Sequence, residues 1–395
     1  MKKSERDEYD KTYGLYKFKR PLPSEIESAM GLVGESILFK KLISADYERF
    51  YDPIKIPEEG DWLMTHKEFG QTYNEYIQND CYQVDPNHNV IYIHRFSSND
   101  DLIKDELFQN VIILLEAFFT GMKVYLYDEG TNYLNNNNEN DNENENNNNE
   151  NNNNENNNNE NNNNNENNGE NNIENNNNIE NNVDNNNVIK NAQNEKMAIN
   201  ADQLLEKLKL EMPEDAYCVF GIIDNDLYTE SLSYNGKRLI KSTYCKRSIQ
   251  DRVAIFSLAR FDPFFNFNGK INNLSKEQKY KISLILLKRI CNAITREICY
   301  MFGMKNCIFL SCCMNGTNVT EFDNKQIELC PICLRKLVTN IKANGEDIKT
   351  YRVKKPLIVF NRFVKMRDAL DNFAGIYENE IKWFDARIDF LKGLI

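Results

Sequence analysis

The sequence predicts an α/β fold, a small mixed sheet with crossover helices, closed by terminal helices and stapled by a metal site. Three observations point there. Residues 89–127 alternate a strand pattern, a helix pattern and a second strand pattern, the signature of a β-α-β unit. Lys279 to Phe302 keeps apolar residues at helical spacing for more than twenty positions, and Gly303 stands where a helix closes. Two pairs of cysteines then follow at metal-ligand spacing.

Taken in order, Asn89–Phe96 reads as a strand, Leu102 to Phe119 as a helix and Lys123–Tyr127 as a strand. Asn200–Leu208 reads as a helix with Asn200 or Asp202 as its N-cap, because a short polar side chain there can accept from the first free backbone amides. Ala216 to Ile223 is continuously apolar and suits a buried strand, and Arg252–Ala259 is a further strand candidate. Lys365 to Leu394 reads as terminal helices that pack back on the domain.

Between these segments, 132–194 is an asparagine tract with Glu every four to six residues. It offers too little apolar surface to offset chain entropy, so it is expected to be a disordered insert in a strand-to-helix connection, with some β-aggregation tendency. The tract also explains the formal net charge of −12: twelve of the 60 acidic residues lie between Glu139 and Asp184, and the other 48 match the 48 Lys and Arg. The rest is balanced and shows no basic clustering, so no nucleic-acid partner is expected. No stretch reaches the roughly 20 apolar residues of a membrane span, and the first residues lack the apolar core of a signal peptide. We therefore expect an intracellular, cytoplasmic protein without membrane contact, a nuclear location remaining open. In that reducing setting the ten cysteines are read as thiols and metal ligands.

Cys307 and Cys312 form one pair, Cys330 and Cys333 the other, with Pro331 inside the second. Four thiolates suit tetrahedral zinc in a closed shell, which makes the site structural; a redox pair or unrelated core thiols are the competing readings.

On both sides of this site the sequence resembles the archaemetzincins, a metzincin-like family of zinc metallopeptidases. Their signature, His-Glu-x-x-His-x-x-Gly-x-x-His-Cys-x4-Cys-x-Met followed by Cys-x-x-Cys, is met at Glu297, Gly303, Cys307, Cys312, Met314, Cys330 and Cys333. Asn200–Leu205, Pro213–Tyr228 and Val253–Arg260 are also similar to the family, and Glu59–Leu63 with Gly70 and Gln71 resembles the amino-terminal extension of eukaryotic members. The resemblance implies a metzincin-like mixed sheet with an active-site helix, Glu297 at the general-base position and Met314 at the Met-turn. It also implies three catalytic-zinc positions, and here these are Arg296, Tyr300 and Asn306. A cation, a phenol and an amide are poor zinc donors beside imidazole. The chain's three histidines, His66, His88 and His94, all lie upstream.

One structural zinc and no catalytic zinc are therefore expected. Arg296 is read either as fixed positive charge replacing the metal, paired with Glu297, or as a solvated helix charge beside an exposed Glu297. Cys299, about 100° off the ligand face, and Cys313 are read as core thiols.

The expected organisation is an extension at 1–87, a domain at 88–345 interrupted by the insert, and a strand and helical segment at 346–395 packing on the domain. Three functions follow: a catalytically inactive homologue that accepts an extended peptide or a protein in its cleft or on an edge strand near Val253–Ala259; a working zinc peptidase of aminopeptidase-like activity with unconventional ligation; or an interaction scaffold acting through 1–87.

Overall fold

The computed structural model describes residues 18–96, 105–128, 188–190, 197–232, 236, 238–262, 265, 275–317, 322, 325–341, 348–373 and 375–395. Two short helices come first, α1 (Pro23–Met30) and α2 (Ile37–Ser44). The central sheet has the order β2-β1-β5-β9-β8, formed by β1 (Val90–Arg95), β2 (Lys123–Asp128), β5 (Ala216–Ile223), β8 (Cys245–Ser248) and β9 (Val253–Ser257). Its first four strands run parallel, and β8 closes the edge antiparallel to β9. Helix α3 (Asp105–Phe118) makes the crossover from β1 to β2.

Every residue of β1, β5 and β9 is buried, as expected of strands covered on both faces. The two faces are separated by the period of two. Val90, Val219, Val253 and Ile255 pack with Leu205 and Leu208 of α4 (Ala201–Leu210), whereas Ile91, Phe220, Ala254 and Phe256 enter the larger core. Asn200 caps α4 by accepting from the Asp202 amide at 2.9 Å, which settles the choice between the two candidate caps.

A second sheet, β3-β4-β6-β7, was not expected. It contains β3 (Val188–Lys190), β4 (Met197–Asn200), β6 (Leu227–Leu232) and β7 (Arg238–Thr243). Its outer strand β7 is exposed along almost its whole length and follows no apolar alternation, which hides it from periodicity. Two sequence expectations change here. The tract ends in regular pairing at Val188–Lys190, and β4 intervenes before α4, so the connection is not simply strand to helix. The rest of 132–194, apart from Val188–Lys190, lies outside the described residues as far as 187, and so do 191–194.

The segment Val253–Ala259 is likewise not an edge strand: β9 is held between β5 and β8, and the sheet ends at β8. Nor do the described residues after 347 contain a strand. They form α7 (Ile348–Leu370) and α8 (Glu378–Lys392), because Val359, Phe363, Met366 and Leu370 recur at helical spacing on the buried side of α7.

Helix α5 (Lys276–Met301) crosses the larger core. Ser275 starts it with a reciprocal capping box, its hydroxyl accepting from the Gln278 amide at 3.2 Å and its own amide donating to the Gln278 side chain at 2.9 Å. Gly303 ends it at φ +82°, and a Cβ there would lie 1.6 Å from the Asp80 carbonyl oxygen. Only glycine lets the residues ahead of β1 approach this closely.

Those residues are part of the same core. Met30, Phe39, Leu42 and Tyr76 are buried with Leu334 and Leu337 of α6 (Pro331–Asn340). Arg335 and Lys336 of α6 reach back to the Met30 and Gln71 carbonyls, and Arg335 pairs with Glu35 at 2.9 Å. Residues 18–96 and those from 197 onward belong to one unit.

Candidate functional site

Two sites meet at the end of α5, one built for a metal and one closed by side chains. Just beyond Gly303, Cys307, Cys312, Cys330 and Cys333 bring their sulfurs within 4.8 Å of one another, all four buried. Cys307 and Cys330 sulfurs lie 3.7 Å apart. Tetrahedral zinc with bonds of ~2.3 Å requires sulfurs about 3.8 Å apart. Pro331 opens α6 at its first turn, which brings Cys330 and Cys333 to one end of the helix. The amides of Cys330 and Met314 point at the Cys312 sulfur from 3.2 and 3.4 Å. Asn315 pins the intervening loop, donating to the carbonyls of Cys307 and Leu310 at 2.9 Å each and accepting from the Cys312 amide at 2.8 Å. The neighbouring thiols, Cys312 first, hold Cys307 well below its usual pKa by hydrogen bonding, so negative charge is already favoured there. The donor set and its spacing fit a bound metal ion of zinc type.

The other site contains the residues at the expected catalytic positions. Arg296 and Glu297 are both buried on α5, which removes the solvated-charge reading. Arg296 donates to Glu297 at 3.1 Å and to the Tyr244 hydroxyl at 3.1 Å. From the edge strand β8, Arg247 pairs with the other carboxylate oxygen of Glu297, and the Cys245 thiol donates to the same oxygen at 3.3 Å. Burial raises the Glu297 pKa, but Arg247 and then Arg296 outweigh it and leave the carboxyl below its ordinary value. Burial, and then Glu297, push the Cys245 thiol well up, so it remains a donor.

Tyr300, one turn along α5, donates to Asn306 and is covered by the Arg247 guanidinium at 4.1 Å from its ring centre. Burial raises the Tyr300 pKa and keeps the phenol protonated. Asn306 donates in turn to Glu68 at 2.7 Å, and the Trp62 indole donates to the same Glu68 oxygen at 2.9 Å. Each of the three positions is thus engaged by protein groups, and none offers the imidazole donor that a hydrolytic zinc would require. These residues do not fit a catalytic zinc.

The histidines do not supply the missing donors. His94 is buried in β1 among Phe96 and Tyr127, and His88 sits in a turn with Asp85 at 2.9 Å. His66 is exposed and stacked at 3.5 Å on the Trp62 ring. Cys299 and Cys313 are buried, burial pushing Cys313 up to about 12. Met314 is buried too, its carbonyl accepting from the Cys307 amide at 2.8 Å, so it anchors the loop of the four-cysteine site.

Sequence reasoning missed Arg247, Tyr244, Cys245 and Glu68, which follow no motif and converge only through the fold. A signal did exist for Trp62, which lies in the stretch resembling the extension of eukaryotic relatives.

Comparison with known proteins agrees with the sequence resemblance. Archaemetzincin-2 of Pongo abelii is 28% identical over 305 residues, covering 73% of this chain and 69% of that protein. Human archaemetzincin-2 is 27% identical over the same shares of both chains. Human archaemetzincin-1 matches a shorter stretch, 28% identical over 162 residues, or 36% of this chain and 31% of that one. No family model matches. Among solved structures, the archaemetzincin of Methanopyrus kandleri is 15% identical with a TM-score of 0.35, covering 65% of this chain and 97% of the other. A zinc-dependent peptidase from Methanocorpusculum labreanum is 17% identical with a TM-score of 0.35, covering 62% and 99%.

Proposed function

We propose that this homologue of the archaemetzincins is a non-hydrolytic member of its family, holding one structural zinc and binding a peptide or protein segment instead of cleaving it. The observation that carries the reading is the side-chain network over the vacated positions, in which Arg296 serves Glu297, Tyr300 serves Asn306, and Asn306 serves Glu68. A hydrolytic zinc holds a water of lowered pKa in an open fourth position. Here Glu297 faces two guanidinium groups and a thiol, so its carboxylate is engaged as a counter-ion.

Four thiolates supply two charges beyond those of a zinc ion, and their closed shell leaves no position for substrate, which suits a structural metal. That metal would fix Asn306 and Met314 beside α5 through the loop that Cys307 and Cys312 bound. A peptide would lie along β8, the strand at the end of the central sheet, by strand addition. The setting that this reading requires is an intracellular one, where the cysteines would be kept reduced and available to the metal.

The test is a metal count and a cleavage assay on the full chain. One zinc per chain is expected, with no peptide hydrolysis that a chelator abolishes. Two zincs together with cleavage that depends on Glu297 would replace this reading by that of a working peptidase.

A further inference from the structure

One side chain grips the loop that carries the first cysteine pair. The Asn315 amide donates to the carbonyls of Cys307 and Leu310 and accepts from the Cys312 amide, so it holds the backbone of both ligands. The second pair needs no such clamp, because Cys330 and Cys333 stand at the start of α6. Gly316 is required for a different reason. A Cβ there would come within 2.2 Å of the Trp62 ring, and that ring is itself held, stacked on His66 at 3.5 Å and donating to Glu68 at 2.9 Å.

The clamp requires asparagine and the packing requires glycine, so the fold sets an Asn-Gly pair beside the metal loop. Both residues border a groove of about 440 Å³ that also reaches Trp62 and Cys312, which gives water a path to them. Such pairs are chemically labile, because glycine has no side chain to shield its backbone nitrogen from the preceding side-chain carbon. In the reaction the Gly316 nitrogen attacks Cγ of Asn315. A C–N bond forms, the Cγ–Nδ2 bond breaks, and Nδ2 leaves as ammonia with the proton that the Gly316 nitrogen gives up. Water then opens the resulting succinimide on either side, leaving an aspartyl or an isoaspartyl residue, and nothing is oxidised or reduced.

We infer that the Asn315-Gly316 pair is a modification site gated by the metal: zinc on the four cysteines preserves the asparagine, and loss of zinc lets the pair deamidate, after which the site regains metal poorly. The inference rests on the structural-zinc reading above. With zinc bound, Cys307 and Cys312 are tied to the pair on α6, and the three hydrogen bonds of Asn315 keep Cγ and Nδ2 in place. Without it, the stretch from Cys307 to Gly316, which has isolated bridges and no helix or strand, depends on hydrogen bonds that each contribute modestly, so it opens locally. Deamidation then destroys the clamp. A carboxylate can still accept from the Cys312 amide, but it cannot donate to the Cys307 and Leu310 carbonyls, and it adds negative charge beside four thiolates.

The test uses the full chain, its zinc content measured first. Portions are kept at neutral pH with added zinc or with EDTA, at a temperature where both stay soluble, and peptide mass spectrometry follows the conversion of amide to acid. The other Asn-Gly pairs, with Asn168, Asn235, Asn268 and Asn344, serve as references; those asparagines lie outside the described residues. Conversion at Asn315 should be at least ~10-fold faster with EDTA, as a local opening allows, while the references change far less. When zinc is returned, the metal regained should fall in step with the fraction converted. Asn315→Asp, made directly, should hold zinc at least ~10-fold more weakly in competition with a chelator, and the aged parent answers the same question if that variant fails to fold. Equal rates at Asn315 with zinc and EDTA, an acceleration shared equally by the references, or full recovery of zinc by converted chains overturns the inference and leaves the structural zinc standing. A fresh chain that neither contains nor takes up zinc removes both.

Discussion

Arg296 and Glu297 are neighbours in sequence that face one another inside the protein, guanidinium to carboxylate at 3.1 Å, with side chains 4% and 1% exposed. Adjacent helix residues point about 100° apart, so the pairing needs a third group to hold the carboxylate across the gap, and Arg247 of β8 provides it. Two consequences follow for stability. Replacing Glu297 by Ala leaves two guanidinium groups without their anion, whereas replacing Arg296 by Ala leaves Glu297 still paired with Arg247. Both should destabilise, by about 4 and about 3 kcal/mol respectively, in the range for broken buried pairs. Denaturant titration checks the order, and Arg296→Met with Glu297→Gln should cost at least ~1 kcal/mol less than the two single changes added together.

Acid titration should separate Glu297 from Glu328, the other buried glutamate among the described residues. The Glu297 pKa is held below its unfolded value, so its contribution to stability is complete above about pH 4.3 and is lost as pH falls through the depressed folded value. Glu328 has the opposite sign: burial outweighs Arg362, which donates to it at 2.7 Å, and leaves its pKa raised. Acidification from neutrality toward about pH 4.3 should therefore recover some of the cost of keeping Glu328 ionised. Glu297→Gln should flatten the acid limb of a stability curve below about pH 4, and Glu328→Gln should remove the gain above it. An acid limb unchanged by Glu297→Gln would show that other carboxylates dominate it.

How far the sequence disclosed these features depended on whether the deciding contacts were local. The four-cysteine site was legible because only two residues, Pro331 and Ile332, separate Cys330 from Cys333, and only four separate Cys307 from Cys312. Helix α5 was legible from its period and from Gly303. Glu68, Trp62 and Arg247 were not, since nothing short-range links position 68 to position 306. Strand β8 was missed for a related reason: its partly exposed, polar residues Cys245–Ser248 carry no strand signal, and with it went the knowledge that β9 is interior. The three positions that the family motif gives to zinc ligands were legible by matching that motif, but what surrounds Arg296, Tyr300 and Asn306 could be read only from the fold.

Loss of the metal should unfold more than the loop that holds it. Leu329, Ile332, Leu334 and Leu337 around the second cysteine pair are buried in the larger core together with Phe39 and Met30 of the first helices. Cys330→Ser or Cys333→Ser, or prolonged chelation, should therefore lower the melting temperature by at least ~10 °C or cause aggregation, since structural zinc contributes its binding free energy to folding. Metal analysis beside the melting curve tests this, and a metal-free chain of unchanged stability would dismiss the zinc assignment.

The strongest test of the proposed loss of a catalytic zinc is to supply its ligands. Arg296→His, Tyr300→His and Asn306→His together place two imidazoles one turn apart on α5 and a third after the Gly303 turn, the arrangement that the family motif uses. If the backbone geometry has survived, the triple variant should take up a second zinc per chain. It should still be inactive, because Glu68 reaches position 306 at 2.7 Å and its carboxylate is itself a zinc ligand that can occupy the fourth position. Adding Glu68→Ala should then leave the second zinc in place, bound less tightly, and allow slow chelator-sensitive cleavage of an unstructured peptide. Removing Arg247 as well should raise that rate, since Glu297 would no longer be held as the counter-ion of a guanidinium. Zinc stoichiometry and cleavage, measured on the four proteins in parallel, distinguish the steps. A triple variant that folds and keeps its first zinc yet takes up no second would mean that the scaffold, and not only its donors, has moved away from metal binding.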